Sequence, residues 1–192
     1  MKKIKLTQNK EAIVDDEDYE RLMEHKWCAH KCSNNKDKFY VERMAPVDSN
    51  GKQKIIYIHR VIMNAPKGMQ VDHINGNPLD NRRENLRICT NQQNGMNRGK
   101  PKDNTSGYKG VTYMKKKKDM INEYSKPWYA QIIHNQKKIH LGCYKTKEEA
   151  ARAYDKKAIE LHGEYATLNY PKEHNEQGRK SEPLASVSLE QR

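Results

Sequence analysis

An acid, an imidazole and two amides lie close together near the middle of the chain. Asp72 and His73 are adjacent, Asn85 follows His73 by twelve residues, and Asn94 follows Asn85 by nine. A carboxylate and an amide supply oxygen ligands that Mg²⁺ or Mn²⁺ prefers, and they leave positions open for water and phosphate. An imidazole beside such a cation can take a proton from water. The spacing therefore predicts a small site for phosphodiester chemistry, with one divalent cation per site.

Two short strands and a helix must position these side chains. Residues 71–74 are predicted to form a strand, 75–84 a loop and 85–89 the returning strand. Thr90 and Gln93 then match a Thr-x-x-Gln capping box at the start of a helix. His73 would point to the opposite face of an ideal strand from Asp72, so a bulge or twist must bring it in. The Asn85 amide is suited to bond the loop backbone and hold that bend.

Residues 57–98 resemble the HNH (ββα-metal) nucleases of the homing-endonuclease type, and residues 58–62, IHRVI, match that family's usual lead-in. The resemblance implies a phosphodiester-cleaving DNA endonuclease in which His73 is the general base. It also implies that Asp72 and Asn94 are the metal ligands and that Asn85 is the structural asparagine. Asn stands at the third motif position, where other HNH enzymes have His, which favours Mg²⁺ or Mn²⁺ over zinc. Asn97, one helical turn further on, is the lower-ranked alternative ligand.

Other basic side chains around this motif are candidates for contact with DNA. His59 either steadies a phosphate or the leaving group, as a third catalytic candidate, or is a packed histidine. Arginine matches phosphate oxygens bidentately. The candidate phosphate contacts are Arg60, Arg82, Arg83, Arg87 and Arg98.

A second module follows, with strands predicted at 109–113, 128–134 and 138–144 and a helix that begins at a Thr146–Glu149 capping box and ends at Gly163. Three stretches of this module resemble the Apetala-two/ethylene-response-factor DNA-binding domain: GYKGV at 107–111, WYAQI at 128–132 and EEAA at 148–151. That family lays a three-stranded sheet in the major groove. The resemblance implies DNA contacts from Lys109, Trp128, Gln131, Lys138 and His140. Trp128 is alternatively a core residue that supports the sheet.

Departures from the plant pattern limit what this resemblance implies about the target. Thr112 and Ile133 stand where the plant proteins usually have Arg, and His140 replaces a Trp, so the plant base sequence does not transfer. Lysines 115–118 suit either non-specific phosphate attraction or a flexible solubilising loop. Residues 99–170 hold 15 Lys and Arg against 8 Asp and Glu, an excess of 7 that suits a phosphate-binding surface.

Composition limits the remaining functional classes. The formal net charge is +12, hydrophobic residues make up 34%, and no apolar run is long enough to span a membrane. The basic N-terminus lacks the apolar block of a secretion signal, so we expect a cytoplasmic protein, in the host-cell cytoplasm if it is phage-encoded. His25, Cys28, His30 and Cys32 cluster but match no common structural zinc pattern, and reduced thiols are the favoured interpretation.

Together these features predict an α+β protein. Its expected parts are a small N-terminal β/α leader at 1–55, a ββα-metal HNH nuclease at 56–98, a linker at 99–106, a DNA-binding domain of three antiparallel strands and one helix at 107–170, and a disordered tail at 171–192. The expected partner is double-stranded DNA, with no membrane partner, and the oligomeric state stays open. The alternatives are a non-catalytic DNA-binding regulator with a degenerate nuclease fold and a structural-zinc binding module.

Overall fold

The computed structural model of the protein describes residues 1–32, 35–115 and 124–171, with no side chains given for 35 and 36. It divides into two compact units, Met1–Arg98 and a second that begins at Gly99. The predicted tail beyond Pro171 and most of the lysine run at 115–118 lie outside the described residues. In the part that is described, every helix is too short or too polar to cross a bilayer.

The N-terminal half of unit 1 contains a hairpin, a helix and a three-stranded antiparallel sheet. The hairpin pairs β1 with β2, and the sheet has the order β3-β4-β5. The elements are β1 (Lys2–Lys5), β2 (Glu11–Val14), α1 (Asp16–Met23), β3 (Cys28–Cys32), β4 (Asn35–Met44) and β5 (Ile55–Tyr57). A turn at 49–52 joins β4 to β5, and the Asp48 side chain stabilises it by accepting hydrogen bonds from the backbone N–H groups of Asn50 and Lys52.

The second half of unit 1 carries the acid, imidazole and amides singled out above. It contains α2 (Ile58–Ile62), β6 (Gln70–His73), β7 (Leu86–Cys89) and α3 (Asn91–Met96). β6 and β7 form a two-stranded antiparallel sheet, and α3 follows directly. The capping box predicted at Thr90 is confirmed, since its hydroxyl accepts from the Gln93 backbone and its own N–H donates to the Gln93 side chain.

One hydrophobic core joins both halves of unit 1. Ile4, Val14 and Val41 from the first half pack in the same cluster as Ile58 and Leu86 from the second. β5, at 55–57, crosses the boundary expected at residue 55. The first 55 residues therefore do not form a separate body; they supply part of the core beneath the candidate site.

Unit 2 is a three-stranded antiparallel sheet of order β10-β9-β8, with one helix packed on it. The elements are β8 (Val111–Tyr113), β9 (Trp128–His134), β10 (Lys137–Tyr144) and α4 (Lys147–His162). α4 lies close on the sheet because it turns small or flat side chains toward the strands. Its Ala150, Ala151 and Ala158 are fully buried. The fit is tight at Gly110, where a Cβ would collide with the Tyr154 ring.

The predicted ends of α4 are confirmed. Thr146 and Glu149 form the capping box, and Gly163 is the C-cap. The prediction that residues 99–106 are a linker with nothing to bury is wrong at its end. Ser106 is buried and donates to the Val111 carbonyl, and Asn104 accepts from the Gly107 N–H, so these residues are folded into unit 2.

Candidate active site

Asp72 is held between the second strand of its hairpin and the end of the helix that follows. It pairs with Arg87 across β6 and β7. The Arg87 Nε and Nη2 groups donate to Asp72 Oδ2 at 3.0 and 2.7 Å. Asn97, the C-cap of α3, donates from Nδ2 to Asp72 Oδ1 and to the His73 carbonyl oxygen, each at 3.0 Å. The Asp72 carboxylate is thus buried, and both of its oxygens accept hydrogen bonds.

Asn97, rather than Asn94, is the helical amide in direct contact with this acid. Among the described residues, the hydrogen bond seen for Asn94 is the backbone one to the Thr90 carbonyl. Asn94 lies one helical turn before Asn97. The hydrogen bonds therefore favour the residue ranked lower from the sequence, while a metal-ligand role for either amide stays a prediction.

The groups around Asp72 fit a hard divalent cation. The Asp72 carboxylate and the His73 carbonyl present oxygens at the point where the Asn97 Nδ2 group donates to both, and such oxygens are the ligands that Mg²⁺ and Mn²⁺ prefer. Within the described ranges, no three His, Cys, Asp or Glu side chains gather as a metal site. A cation here would depend on one carboxylate, amide or carbonyl oxygens and water. The Arg87 guanidinium now supplies the positive charge.

His73 is the last residue of β6 and is buried. β6 and β7 pair in regular register as far as His73, so the bulge expected here is absent from these described strands. The His73 Nε2 lies 3.2 Å from Asn81 Oδ1, and the ring meets His59 edge-on with centroids 5.1 Å apart. Burial lowers the pKa of His73 below its usual 6.5, although Asn81 and Asp72 act against this. A neutral imidazole at neutral pH can accept a proton.

His59 lies on α2 inside an aromatic cluster. Its ring stacks on Tyr57 at 5.5 Å between centroids and contacts Tyr40 at 6.1 Å. Burial, with a smaller effect from His73, lowers the pKa of His59 to about 3. His59 is therefore uncharged at neutral pH and cannot hold phosphate as a cation. The geometry favours the packed histidine, and a role in steadying the leaving group stays a prediction.

Asn85 bonds the loop backbone at both ends, as expected from its position. Its Nδ2 donates to the Asp80 carbonyl at 2.8 Å, and its Oδ1 accepts from the Asn75 N–H at 3.0 Å. The Asn85 carbonyl also accepts from the Ile74 N–H. These bonds fix the path of the chain immediately after His73.

Four of the five candidate arginines are engaged inside unit 1. Arg60 donates to the carbonyls of Met69, Ala65 and Pro66, Arg82 pairs with Asp80 and Glu84, Arg83 pairs with Asp18 and Glu17, and Arg87 pairs with Asp72. Their guanidinium groups thus already have partners within unit 1, and their role as phosphate contacts stays a prediction. Arg98 is exposed, and its backbone N–H donates to the Gly95 carbonyl, while its guanidinium makes no hydrogen bond or ion pair within the described residues.

The sheet of unit 2 separates the candidate DNA contacts into two groups. Gln131 pairs with His140 and Ile133 with Lys138, which places all four on the face opposite the buried Ala130 and Ile132. Tyr129 stacks on His140 on that same open face.

Trp128 and Lys109 do not belong to the open face. Trp128 packs against the core cluster of Val111, Ala130 and Ala150, beneath α4. Lys109 lies over the Tyr154 ring, and burial lowers its pKa to about 8. Strand alternation therefore turns Trp128 toward the helix, and Lys109 lies away from the open sheet face; DNA contact by either residue stays a prediction.

Three residues near His73 were not found from the sequence. Asn81 contacts the His73 ring, and Lys38 of β4 donates to the Gly76 carbonyl at 2.7 Å. Burial, with a smaller effect from the nearby Asp72 charge, raises the pKa of Tyr40. Asn81 stands in an Asp-Asn-Arg stretch that is typical of a turn, so only its burial reveals it. Lys38 and Tyr40 approach from another sheet, and no local pattern links them to His73.

The possible zinc cluster of the N-terminal region is not assembled. His30 pairs with the buried Glu42 at 3.3 Å, and Cys28 donates to the Glu42 carbonyl. Throughout the described segments, His25, Cys28, His30 and Cys32 contribute to no group of three or more potential metal ligands. The four cysteines are all free thiols.

Comparison with known proteins gives an independent view of this site. Residues 57–96 match a family model described as HNH endonuclease. The chain is 34% identical over 101 residues to Protein 3.8 of Escherichia phage T7, covering 53% of this chain and 76% of that protein.

Two more relatives match part of their length. An "Uncharacterized HNH endonuclease L560" of Acanthamoeba polyphaga mimivirus is 34% identical over 116 residues, which cover 60% of this chain and 55% of the relative. The Arabidopsis thaliana "Ethylene-responsive transcription factor WRI1" is 35% identical over 89 residues, 45% of this chain and 18% of that protein. No solved structure gives a significant match.

Proposed function

This chain belongs to the HNH endonuclease family, and we propose that it is a divalent-metal-dependent enzyme that hydrolyses phosphodiester bonds in double-stranded DNA. The observation that carries the proposal is the contact of Asn97 with both Asp72 and His73. That contact joins the end of α3 to the acid and to the backbone of the adjacent histidine, whose buried imidazole is neutral at neutral pH. Metal-assisted hydrolysis uses such a base together with a metal-binding acid.

Each residue has a distinct role in this proposal. His73 takes a proton from the attacking water, because burial keeps its ring neutral. Asp72, with Asn97 or Asn94, would hold Mg²⁺ or Mn²⁺, and Asn85 keeps the following loop in place. When bound, the cation offsets charge on the scissile phosphate and on the departing 3′ oxygen. Arg98 is the arginine with its guanidinium best available for a neighbouring phosphate.

Unit 2 would deliver the nuclease to DNA. The proposal is supported by the resemblance of residues 107–170 to the Apetala-two/ethylene-response-factor domain and by the match to the plant transcription factor. Gln131, Lys138 and His140 on the open sheet face are the contacts that we favour. A homing-endonuclease role, and action in the host-cell cytoplasm, are in keeping with the phage relative and belong to the proposal.

A supercoiled-plasmid assay tests the catalytic part directly. With Mg²⁺ or Mn²⁺ present, we expect the His73→Ala variant to nick about 10²- to 10⁴-fold more slowly than the unmodified protein, because that is the usual contribution of a general base. His25→Ala, at an exposed position, is the matched control and should retain the full rate. Mobility shift should show equal DNA binding by all three proteins.

The same assay separates the proposal from its main alternative. A non-catalytic DNA-binding regulator would bind DNA but leave the plasmid intact with either metal. If His73→Ala and the unmodified protein nick at equal rates, His73 is not the base and the proposed mechanism fails.

A further inference from the structure

Asn81 is a fully buried polar residue in the loop between β6 and β7, with a relative exposure of 0%. Its Nδ2 donates to the Pro78 carbonyl at 3.1 Å, and its Oδ1 lies 3.2 Å from His73 Nε2. Its backbone N–H donates to the Ile13 carbonyl at 2.8 Å. Both ends of the side chain and the backbone are thus held.

These bonds determine the proton position on the imidazole. Because the Asn81 nitrogen is used as a donor to Pro78, the Asn81 oxygen is the atom that faces the ring. An amide oxygen only accepts hydrogen bonds, so His73 Nε2 must carry the hydrogen. In a neutral imidazole the other nitrogen, Nδ1, then holds the lone pair. Across the described residues, the His73 ring is hydrogen-bonded through Nε2 alone.

We propose that Asn81 is a positioning residue that fixes His73 as the Nε2–H tautomer and so directs Nδ1 at the attacking water. This inference rests on the proposed function and adds the atom that accepts the proton. Asn81 touches neither DNA nor water in this step; it acts through the His73 ring.

Backbone hydrogen bonds from the N-terminal hairpin hold the loop that carries Asn81. The Ile13 N–H donates to the Leu79 carbonyl at 2.8 Å while the Ile13 carbonyl accepts from Asn81. Ile13 and Asp80 also form an isolated parallel bridge. β2 is itself anchored by the buried side chains of Ala12 and Val14. The first strands of the chain therefore hold the residue that orients the base.

The His59 ring restricts rotation of the His73 imidazole from another side. Its edge-on contact with His73 at 5.1 Å, within a buried cluster, leaves little room for the imidazole to turn over. A half-turn of the ring would bring a different ring edge to Asn81 and remove the hydrogen bond. Packing and the hydrogen bond thus select the same orientation.

Nitrogen-15 NMR of histidine-labelled protein tests the tautomer without any need for nuclease activity. The His73 signals are assigned by their loss in His73→Gln. We expect Nε2–H in the unmodified protein and in Asn81→Asp, whose carboxylate still accepts the bond. We expect Asn81→Leu, of similar size but without an acceptor, to lose the single tautomer.

Plasmid nicking by the same proteins gives the kinetic arm. We expect kcat of Asn81→Leu to fall about 10²-fold or more with KM nearly unchanged, since only the proton transfer is affected, and Asn81→Asp to recover at least tenfold of that loss. Asn50→Leu, on an exposed turn, is the control and should behave like the unmodified protein. Circular dichroism checks that every variant is folded.

Two results would overturn the inference. One is a His73 that carries its proton on Nδ1 in the unmodified protein. The other is a folded Asn81→Leu that keeps both the Nε2–H signal and the full rate. If instead the NMR results hold while His73→Ala still nicks DNA normally, the proposed function fails and the link from Asn81 to catalysis fails with it, but the tautomer assignment stands.

Discussion

The Arg87 guanidinium donates two hydrogen bonds to a single carboxylate oxygen of Asp72, and both side chains are nearly buried, at 11% and 8% exposed. A cation that binds Asp72 must therefore share or replace this contact. The guanidinium neutralises the acid in the protein without metal, which explains how a buried carboxylate is tolerated next to His73.

Metal binding should therefore be easier to detect when Arg87 is removed. In EDTA, Arg87→Met should lower the free energy of unfolding by about 3 kcal/mol, because Asp72 is left buried and unpaired. Adding Mn²⁺ should raise stability more in Arg87→Met than in the unmodified protein, and not at all in Asp72→Asn. Urea denaturation with and without Mn²⁺ measures all three, and an equal metal effect in Asp72→Asn would contradict the assignment of Asp72 as a ligand.

The two helical amides can be distinguished by substitution. Asn97→Ala removes the bonds to Asp72 and to the His73 carbonyl, so Mn²⁺ affinity measured by calorimetry should fall about tenfold or more. Asn94→Ala should change it less. The opposite order would restore the ranking made from the sequence.

Asn85 should affect folding as well as catalysis. Asn85→Ala leaves the Asp80 carbonyl and the Asn75 N–H without this partner, which should cost about 1–3 kcal/mol of unfolding free energy. Nicking should slow while DNA affinity is retained. Asn91→Ala, at an exposed helical position, provides the comparison, and equal stability of the two variants would show that the loop does not depend on Asn85.

Substitutions on the open face of unit 2 should weaken DNA binding without lowering the stability of the fold. Gln131→Ala should weaken DNA binding about tenfold, and Lys138→Ala should reduce the salt dependence of binding by about one unit of slope, with little change in Tm for either. Trp128→Ala, beneath α4, should instead lower stability by about 2 kcal/mol, because it packs against the core. Mobility shift over a salt series and thermal denaturation measure the two effects. A Trp128→Ala variant that stays stable but loses sequence preference would overturn this division.

His59 should make unit 1 sensitive to acid. Its pKa is about 3 in the folded protein and near 6.5 when unfolded, so between these values the unfolded state binds more protons. Stability is therefore full above about pH 6.5 and falls as pH decreases toward 3. His59→Phe should flatten the pH dependence of urea denaturation in this range, whereas the exposed His25→Gln should not. Parallel curves for His59→Phe and the unmodified protein would show that His59 is not buried uncharged.

Local patterns predicted the elements that depend on neighbours in sequence. The capping boxes at Thr90 and Thr146 need only side chains three residues apart, and both are present. The strand predicted at 128–134 has those bounds in the structure, because alternation of buried and exposed residues is a property of the strand itself. The adjacency of Asp72 and His73 was likewise visible in the sequence, and so was the HNH resemblance.

Only the tertiary structure decided which groups meet across the chain. Arg83 pairs with Asp18 from 65 residues away, and Asn81 depends on Ile13. Asn97 rather than Asn94 reaches Asp72, since a one-turn difference along a short helix depends on how α3 lies against β6. The face on which Trp128 lies was decided by where α4 packs. Sequence spacing thus indicated the chemical groups of the candidate site, whereas packing of distant segments decided their partners, because hydrogen bonds and burial depend on distances in space.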